Sequence, residues 1–429
     1  MNYLHHLIRS KGILNVPRRF MMIYRRFGFT GVKSARALNR LLEITDTYRC
    51  KPSLFITADL LEHHDELIQG IAGRDVDLAL HGHHHIDHAL LEGSHQRDEI
   101  AKGIEKFRKH GLEVSGFRGP FLRFNDETEE AVATNGLPWV SQTVMLFNGT
   151  TSTHELNQNN KTRHVLKFYT QKSHVQEPSI PGWGSHCLEI PVSLPDDEII
   201  IDRLGITDAS KITEIWLDML KISRRQGELL NVVLHPERID LVAKPLSTLL
   251  ETAVSQGDIW VAPLHEISQW WHERSSSSLE IRDDHGSETC QIWVNGSRRA
   301  SLALSQPSGA MDFIDFERNR PFTISNGFRP VIGLSPDFCD KGGECLINEG
   351  FVVETNGDLS RCAFTFNGTC TMNRRQLLES LKQAQGPLVR MWRWPNGFKS
   401  ALAITADVDA ITLWDFIRRA GHFRKVRSC

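Results

Sequence analysis

The residues Leu78-Ala79-Leu80-His81-Gly82-His83-His84-His85-Ile86-Asp87-His88 carry the chain from an apolar run into a glycine and five histidines. Val76, Leu78 and Leu80 alternate with smaller or polar neighbours, the pattern of a buried strand that stops at a turn. His81 and His85 stand four residues apart, so a helical turn after Gly82 would bring both imidazoles toward one point. Two neutral imidazoles converging there suit zinc or a related divalent ion, which then needs a third protein ligand and an open position for water. The alternative is a solvated histidine patch. The setting weighs against it, because a strand ending in a ligand-bearing loop is where α/β barrels hold their chemistry. A second such transition closes the chain: Ala401-Leu402-Ala403-Ile404-Thr405-Ala406-Asp407-Val408-Asp409-Ala410 is an apolar strand that ends in two carboxylates two residues apart.

The elements that must position these residues follow from periodicity. Leu38, Leu41, Leu42 and Ile44 have helical spacing, Pro52 to Thr57 reads as a strand, and a helix runs on to about Gly73. Gln96 to His110 reads as a helix closed by Gly111. Val114 to Phe117, Trp139 to Ser141, Leu188 to Val192, Leu229 to Leu234 and Ile259 to Ala262 are strand candidates, and Ile259 to Ala262 leads into a helix with Trp270 and Trp271. Strands separated by helices predict a parallel sheet or barrel. Ser275-Ser276-Ser277-Ser278 then reads as a linker. Beyond it, turn-rich sequence with short strands to about Arg375 predicts a smaller α+β module, and a helix from Arg375 to Gln385 precedes the closing strand.

Composition bounds the partners. With 429 residues and 40% hydrophobic content the chain can bury a large core. Lys+Arg 50 against Asp+Glu 52 leaves a net charge of −2, so no global field points to nucleic acid. No apolar run is long enough to span a membrane and no signal-peptide pattern is present, which makes a cytoplasmic protein the expectation. Arg9, Lys11, Arg18, Arg19, Arg25 and Arg26 make the N-terminus locally basic, a solvated helix face or a contact for an anionic membrane surface. Of eight cysteines, Cys339, Cys345, Cys362 and Cys370 cluster at spacings looser than those of zinc ribbons; they read as ordinary thiols or a small structural metal site.

Taken in order over residues 50–274, the histidine motif, Phe117-Arg118-Gly119-Pro120-Phe121 and Leu234-His235-Pro236 resemble the NodB-type polysaccharide deacetylases of carbohydrate esterase family four. The resemblance implies an irregular (β/α) barrel that uses a divalent metal, usually zinc, to remove N-acetyl groups from amino sugars. It implies His81 and His85 as metal ligands, Arg118 as the residue orienting a catalytic carboxylate, and His235 as general acid. One feature departs: the family's first strand should end in Asp-Asp or Asp-x-Asp before Pro52, yet the first aspartate in the chain is Asp46, at the end of a helix. The missing motif resembles Asp407-Val408-Asp409. The expectation is therefore a circularly permuted arrangement, with 1–274 as the barrel, 279–390 as an added module and 391–429 folding back to fill the first-strand slot. The rival is that 391–429 begins a truncated second domain or completes a partner's barrel.

On that reading Asp409 joins His81 and His85 at the metal, Asp407 is the general base and His235 protonates the leaving amine or stabilises the oxyanion. Pro195-Asp196-Asp197-Glu198 follows a strand where the family keeps an acidic motif, so Asp196 or Asp197 is expected to hold Arg118, or to form a simple turn. Pro120 and Phe121 line the site, and Trp183 or Trp139 could offer a flat face to a sugar. His83, His84 and His88 line the pocket or stand in solvent. The function expected is a metal-dependent carbohydrate N-deacetylase. The alternatives are an inactive glycan-binding barrel and a hydrolase of non-sugar C–N amide bonds.

Overall fold

The computed structural model describes residues 15–147, 169, 171–283, 289–306, 311–314, 320–325, 327–338, 340–356 and 358–426, apart from the side chains of 15–20 and 420–426. The chain opens with α1 (Asn15–Phe27), α2 (Val32–Thr47), β1 (Ser53–Ile56), α3 (Leu61–Ala72), β2 (Asp77–Leu80) and α4 (Gly93–Lys109). Short strands β3 (Trp139–Val140), β4 (Leu188–Glu189) and β5 (Val192–Leu194) follow, then α5 (Ala209–Gln226), β6 (Leu229–Leu234), α6 (Ile239–Gln256), β7 (Ile259–Val261) and α7 (Leu264–Ser275). β1, β2 and β6 are buried along their whole length, as strands covered on both faces must be. Helix α2 buries Leu38, Leu41 and Leu42, the stripe its spacing predicts.

Strand β8 (Ser400–Val408) settles the topology. All nine of its residues are buried. Along one edge Ala401–Ala406 pair in parallel with Leu229–Leu234 of β6. Along the other, Ser400–Leu402 pair with β7 and Thr405–Val408 with β1. Residues 400–408 therefore lie between strands formed by residues 53–56 and 229–234. From β1 the parallel pairings continue to β2, through bridges at Phe117 to Val140 of β3, and on to β4. β5, three residues after β4, pairs through Ser193 with Val232 of β6. This is the expected α/β architecture with a parallel central sheet. Residues 114–117 form a bridge and no ladder: a Cβ on Gly116 would stand 2.1 Å from the Trp139 ring, so the chain passes that ring too closely for a side chain.

Helix α8 (Leu413–Val426) leaves the end of β8 and is seated on the N-terminal helices. Ser34 Oγ donates to Ile411 O (2.6 Å), Leu413 N–H donates to Gly28 O (2.8 Å), and His64 Nε2 meets Asp415 Oδ2 (2.8 Å). Arg26 pairs with Asp202, while Arg9, Lys11 and the side chains of Arg18 and Arg19 lie outside the described residues. No helix among the described residues is long and apolar enough to cross a membrane.

The serine run is not a linker. Ser275 ends α7, Ser278 opens a strand, and the hydroxyls of Ser276 and Ser277 donate back to Glu273 O, which turns the chain sharply at the helix end. After it, Ser278–Asp283, Thr289–Asn295 and Phe322–Ser325 form one antiparallel sheet, and Leu302–Ser305 pairs with Met311–Ile314 and Leu388–Met391. A parallel set centred on Arg329–Leu334 packs with the helices Asp340–Asn348 and Arg374–Ser380. Buried Glu349 pairs with Arg374, Arg390 and Arg393 and ties these pieces together. Cys339 lies outside the described residues. Cys345 and Cys362 are free thiols, and among the described residues no cysteine joins a metal-competent set of donors.

Candidate active site

Alternation along β8 sends Leu402, Ile404, Ala406 and Val408 into the core, and leaves Thr405 and Asp407 on the opposite face, where both meet Arg118. Register then sets the neighbours. Asp407 stands opposite Phe55 of β1, and Ala406 opposite Leu234 of β6, which brings His235 up beside Asp407 at the carboxyl ends of the strands. His81 arrives at the same level as the residue after β2.

His81, His85 and Asp409 converge. His81 Nε2 is 3.3 Å from Asp409 Oδ1, and His85 Nε2 is 3.2 Å from Asp409 Oδ2. The turn that allows it needs Gly82, at φ +81°, where a Cβ would stand 2.8 Å from His84 O. His81 Nδ1 lies 2.8 Å from Arg118 O, which can only accept, so Nδ1 carries a proton and the neutral imidazole presents its Nε2 lone pair. That lone pair faces Asp409 Oδ1, a buried oxygen with no hydrogen-bond donor. Two lone pairs opposed at this distance repel unless a cation lies between them, and two imidazoles with one carboxylate are a donor set for zinc or a similar ion. The residues therefore fit a divalent metal. Burial, with Arg419 adding to it and Asp409 opposing it, pushes His85 down to about 4, so it is neutral and able to ligate near pH 7. Burial would raise the Asp409 carboxyl, but His85 and Arg419, with Arg419 Nη1 at 3.2 Å, hold it well below the usual range.

Arg118 is fully buried. It donates to Asp407 Oδ1 (2.7 Å), Thr405 Oγ1 (3.1 Å), Ser141 O (3.1 Å) and Ser141 Oγ (3.1 Å), with its guanidinium over the Phe55 ring at 3.8 Å. This turns Asp407 Oδ2 toward His81 Nε2, 4.0 Å away. Neither Asp196 nor Asp197 hydrogen-bonds Arg118, against expectation. β5 neighbours β6, so the acidic turn after β5 abuts the residue after β6. Asp197 Oδ1 accepts from His235 Nδ1 (2.6 Å), its Oδ2 accepts from His235 N–H (2.7 Å), and Asp196 caps Ile199 N–H (2.8 Å). Burial alone would lower the His235 pKa, yet Asp197 overrides it and holds the imidazole well above its ordinary value. Asp196, buried and beside Asp197, is pushed up to about 7 by burial.

Other expectations fall elsewhere. Trp183 lies away from the site: it pairs with Leu188 at the start of that strand run, at the opposite end from the histidines, and packs edge-on against His272. Trp139 is fully buried against Phe55. Pro120 is buried, and Phe121, at φ +64°, sets its ring edge-on to His85 at 4.5 Å. His83 and His84 turn to Glu99, and His88 packs on Phe117. Sequence reasoning missed Ser141, Thr405 and Arg419. Thr405 and Ser141 had a signal, since both sit on or just past strand segments that carry site residues; Arg419, within a helix, had none.

Residues 31–140 match the polysaccharide deacetylase family, a segment that includes His81, His85 and Arg118 and stops short of His235, Asp407 and Asp409. No curated protein matches the chain. Among solved structures it is similar to a probable polysaccharide deacetylase of Pseudomonas aeruginosa PAO1, at 18% identity over 55% of this chain and 72% of that one, with a TM-score of 0.44. It is also similar to the Puue allantoinase, at 17% identity over 55% and 72%, with a TM-score of 0.43. A third is BA3943 from Bacillus anthracis, a CE4 family pseudoenzyme, at 14% identity over 43% and 57%, with a TM-score of 0.27. These likenesses are remote, and the chemistry rests on the site itself.

Proposed function

With the polysaccharide deacetylase family matched over residues 31–140, we propose that this chain is a metal-dependent hydrolase that removes N-acetyl groups from an amino sugar or glycan. The observation that carries the reading is the placement of both imidazole Nε2 atoms, 3.3 and 3.2 Å, on the two oxygens of Asp409, with Arg118-bound Asp407 alongside. We further propose that residues 1–274 and 391–429 make one permuted deacetylase barrel and that 279–390 is an added module.

His81, His85 and Asp409 would hold the divalent ion, zinc or a similar first-row ion by the two-imidazole, one-carboxylate donor set. Such an ion supplies Lewis acidity toward a water and toward an acyl carbonyl. Asp407 Oδ2 takes the proton of the attacking water, while Arg118 fixes the carboxylate through Oδ1. His235 gives a proton to the amine nitrogen as the C–N bond breaks, so water and amide end as acetate and free amine. Asp197 keeps His235 protonated for that step.

The test is acetate release from N-acetylated amino-sugar oligomers by the zinc-loaded chain. Asp409→Asn should lose metal and turnover together. Asp407→Asn should keep the metal and lose roughly 10²–10⁴-fold in kcat. Turnover that survives Asp407→Asn, or metal that survives Asp409→Asn at full occupancy, would sink the assignment.

A further inference from the structure

We propose that His83, His84 and Glu99 form a second divalent-cation site, separate from the set formed by His81, His85 and Asp409 but built on the same histidine loop. His84 Nδ1 lies 3.2 and 3.4 Å from the two Glu99 carboxylate oxygens, and His83 Nδ1 lies 3.9 Å from Oε2. The three donor atoms fall within 4.8 Å of one another, and the two rings stand 4.1 Å apart. His83 Nδ1 is buried and has no hydrogen-bond partner. At 3.9 Å it is too far from Glu99 to share a proton with it. It is at a suitable distance to share a small cation, since donors about 2.0–2.2 Å from one ion stand ~3–4 Å from each other.

The backbone prepares the set. His84 N–H approaches Glu99 Oε2 at 3.3 Å, and Asp59 N–H donates to His83 O at 2.9 Å, so the loop is held against α4 and against the turn after β1 before any ion arrives. Side-chain exposures of 17%, 26% and 16% for His83, His84 and Glu99 leave a path for an ion and for a water in a further position. Two imidazoles and one carboxylate select zinc or a neighbouring first-row ion over calcium or magnesium. The consequence is mechanical. His83 and His84 lie between the two histidines of the active site in sequence, so an ion that anchors them to Glu99 of α4 also fixes the loop from which His81 and His85 project. The inference does not depend on the deacetylase reading.

The test is zinc titration of the chelator-stripped full chain against a chromophoric competitor, with cobalt absorption as a second readout. The full chain should take up about two equivalents, and Glu99→Gln and Asp409→Asn about one each. The cobalt spectra of those two variants should differ, because each retains a different site. Glu99→Gln binding as many equivalents as the full chain overturns the second site. If circular dichroism shows that Glu99→Gln folds poorly, His83→Gln should lose the same equivalent, and its retention overturns the proposal equally. In Asp409→Asn, an equivalent that the additional change Glu99→Gln removes supports the second site whatever becomes of the first.

Discussion

Replacing Arg118 by methionine tests the seat of the C-terminal strand, because the Arg118–Asp407 contact joins residues 289 apart in sequence. Methionine keeps most of the stem volume and removes the cation. Asp407, with a side chain only 8% exposed, is left as a carboxylate without its counter-charge, and breaking a buried pair from one side costs about 3–5 kcal/mol. Ser141 O also loses its donor, a further ~1 kcal/mol, whereas Thr405 Oγ1 still donates to Val232 O. Arg118→Met should therefore destabilise by about 4–6 kcal/mol. Asp407→Asn retains an oxygen for the Arg118 N–H and should cost about 3 kcal/mol by leaving the cation uncompensated. The double variant removes both charges, so it should fall short of the sum by about 2–3 kcal/mol. The assay is urea unfolding of the four proteins in chelator, which keeps bound metal from neutralising Asp407. Single effects that add to within about 0.5 kcal/mol would refute the coupling, and with it the position of β8 beside Arg118.

Asp197→Asn should move the alkaline limb of kcat/KM to lower pH, because His235 loses the carboxylate that holds its pKa up against burial. The sign for stability follows: a raised histidine pKa stabilises fully below its ordinary value and loses that contribution as pH rises through the folded-state pKa, so the difference between wild type and Asp197→Asn should shrink in alkali. Gly82→Ala should weaken zinc binding and cost at least ~1 kcal/mol in thermal unfolding, since a side chain at φ +81° is strained and its Cβ meets His84 O at 2.8 Å; a neutral result would mean the loop relaxes freely. A chain ended at Gln385 should fail to give a cooperative unfolding transition, because β1 and β6 lose the buried strand between them. Glu349→Gln should destabilise by about 3–5 kcal/mol near neutral pH. Its arginines hold Glu349 below the usual carboxylate range despite burial, so that contribution is present above the ordinary pKa and vanishes as acid titrates the folded protein, where variant and wild type should converge in urea midpoint.

Local pattern in the sequence determined where strands end and what each end carries: His81 and His85 after β2, Arg118 and Pro120 after the Phe117 bridge, His235 after β6, and Asp407 and Asp409 at the end of β8. Those features are written in runs of a few residues, where an apolar stretch marks a strand and a glycine or proline stops it. The family match over residues 31–140 bears out the resemblance carried by the histidine and arginine motifs. Partnership was decided by the tertiary structure. Asp197 reaches His235 instead of Arg118 because β5 lies beside β6, and strand adjacency, not distance along the chain, determines which loops abut. Trp183 is carried to the far end of the same sheet by an antiparallel turn that composition does not announce. Ser141 meets Arg118 across 23 residues, and Thr405 and Arg419 meet the site through register and helix docking, contacts between segments hundreds of residues apart. Their geometry depends on which strands lie side by side in the sheet, and no short window of sequence contains that information.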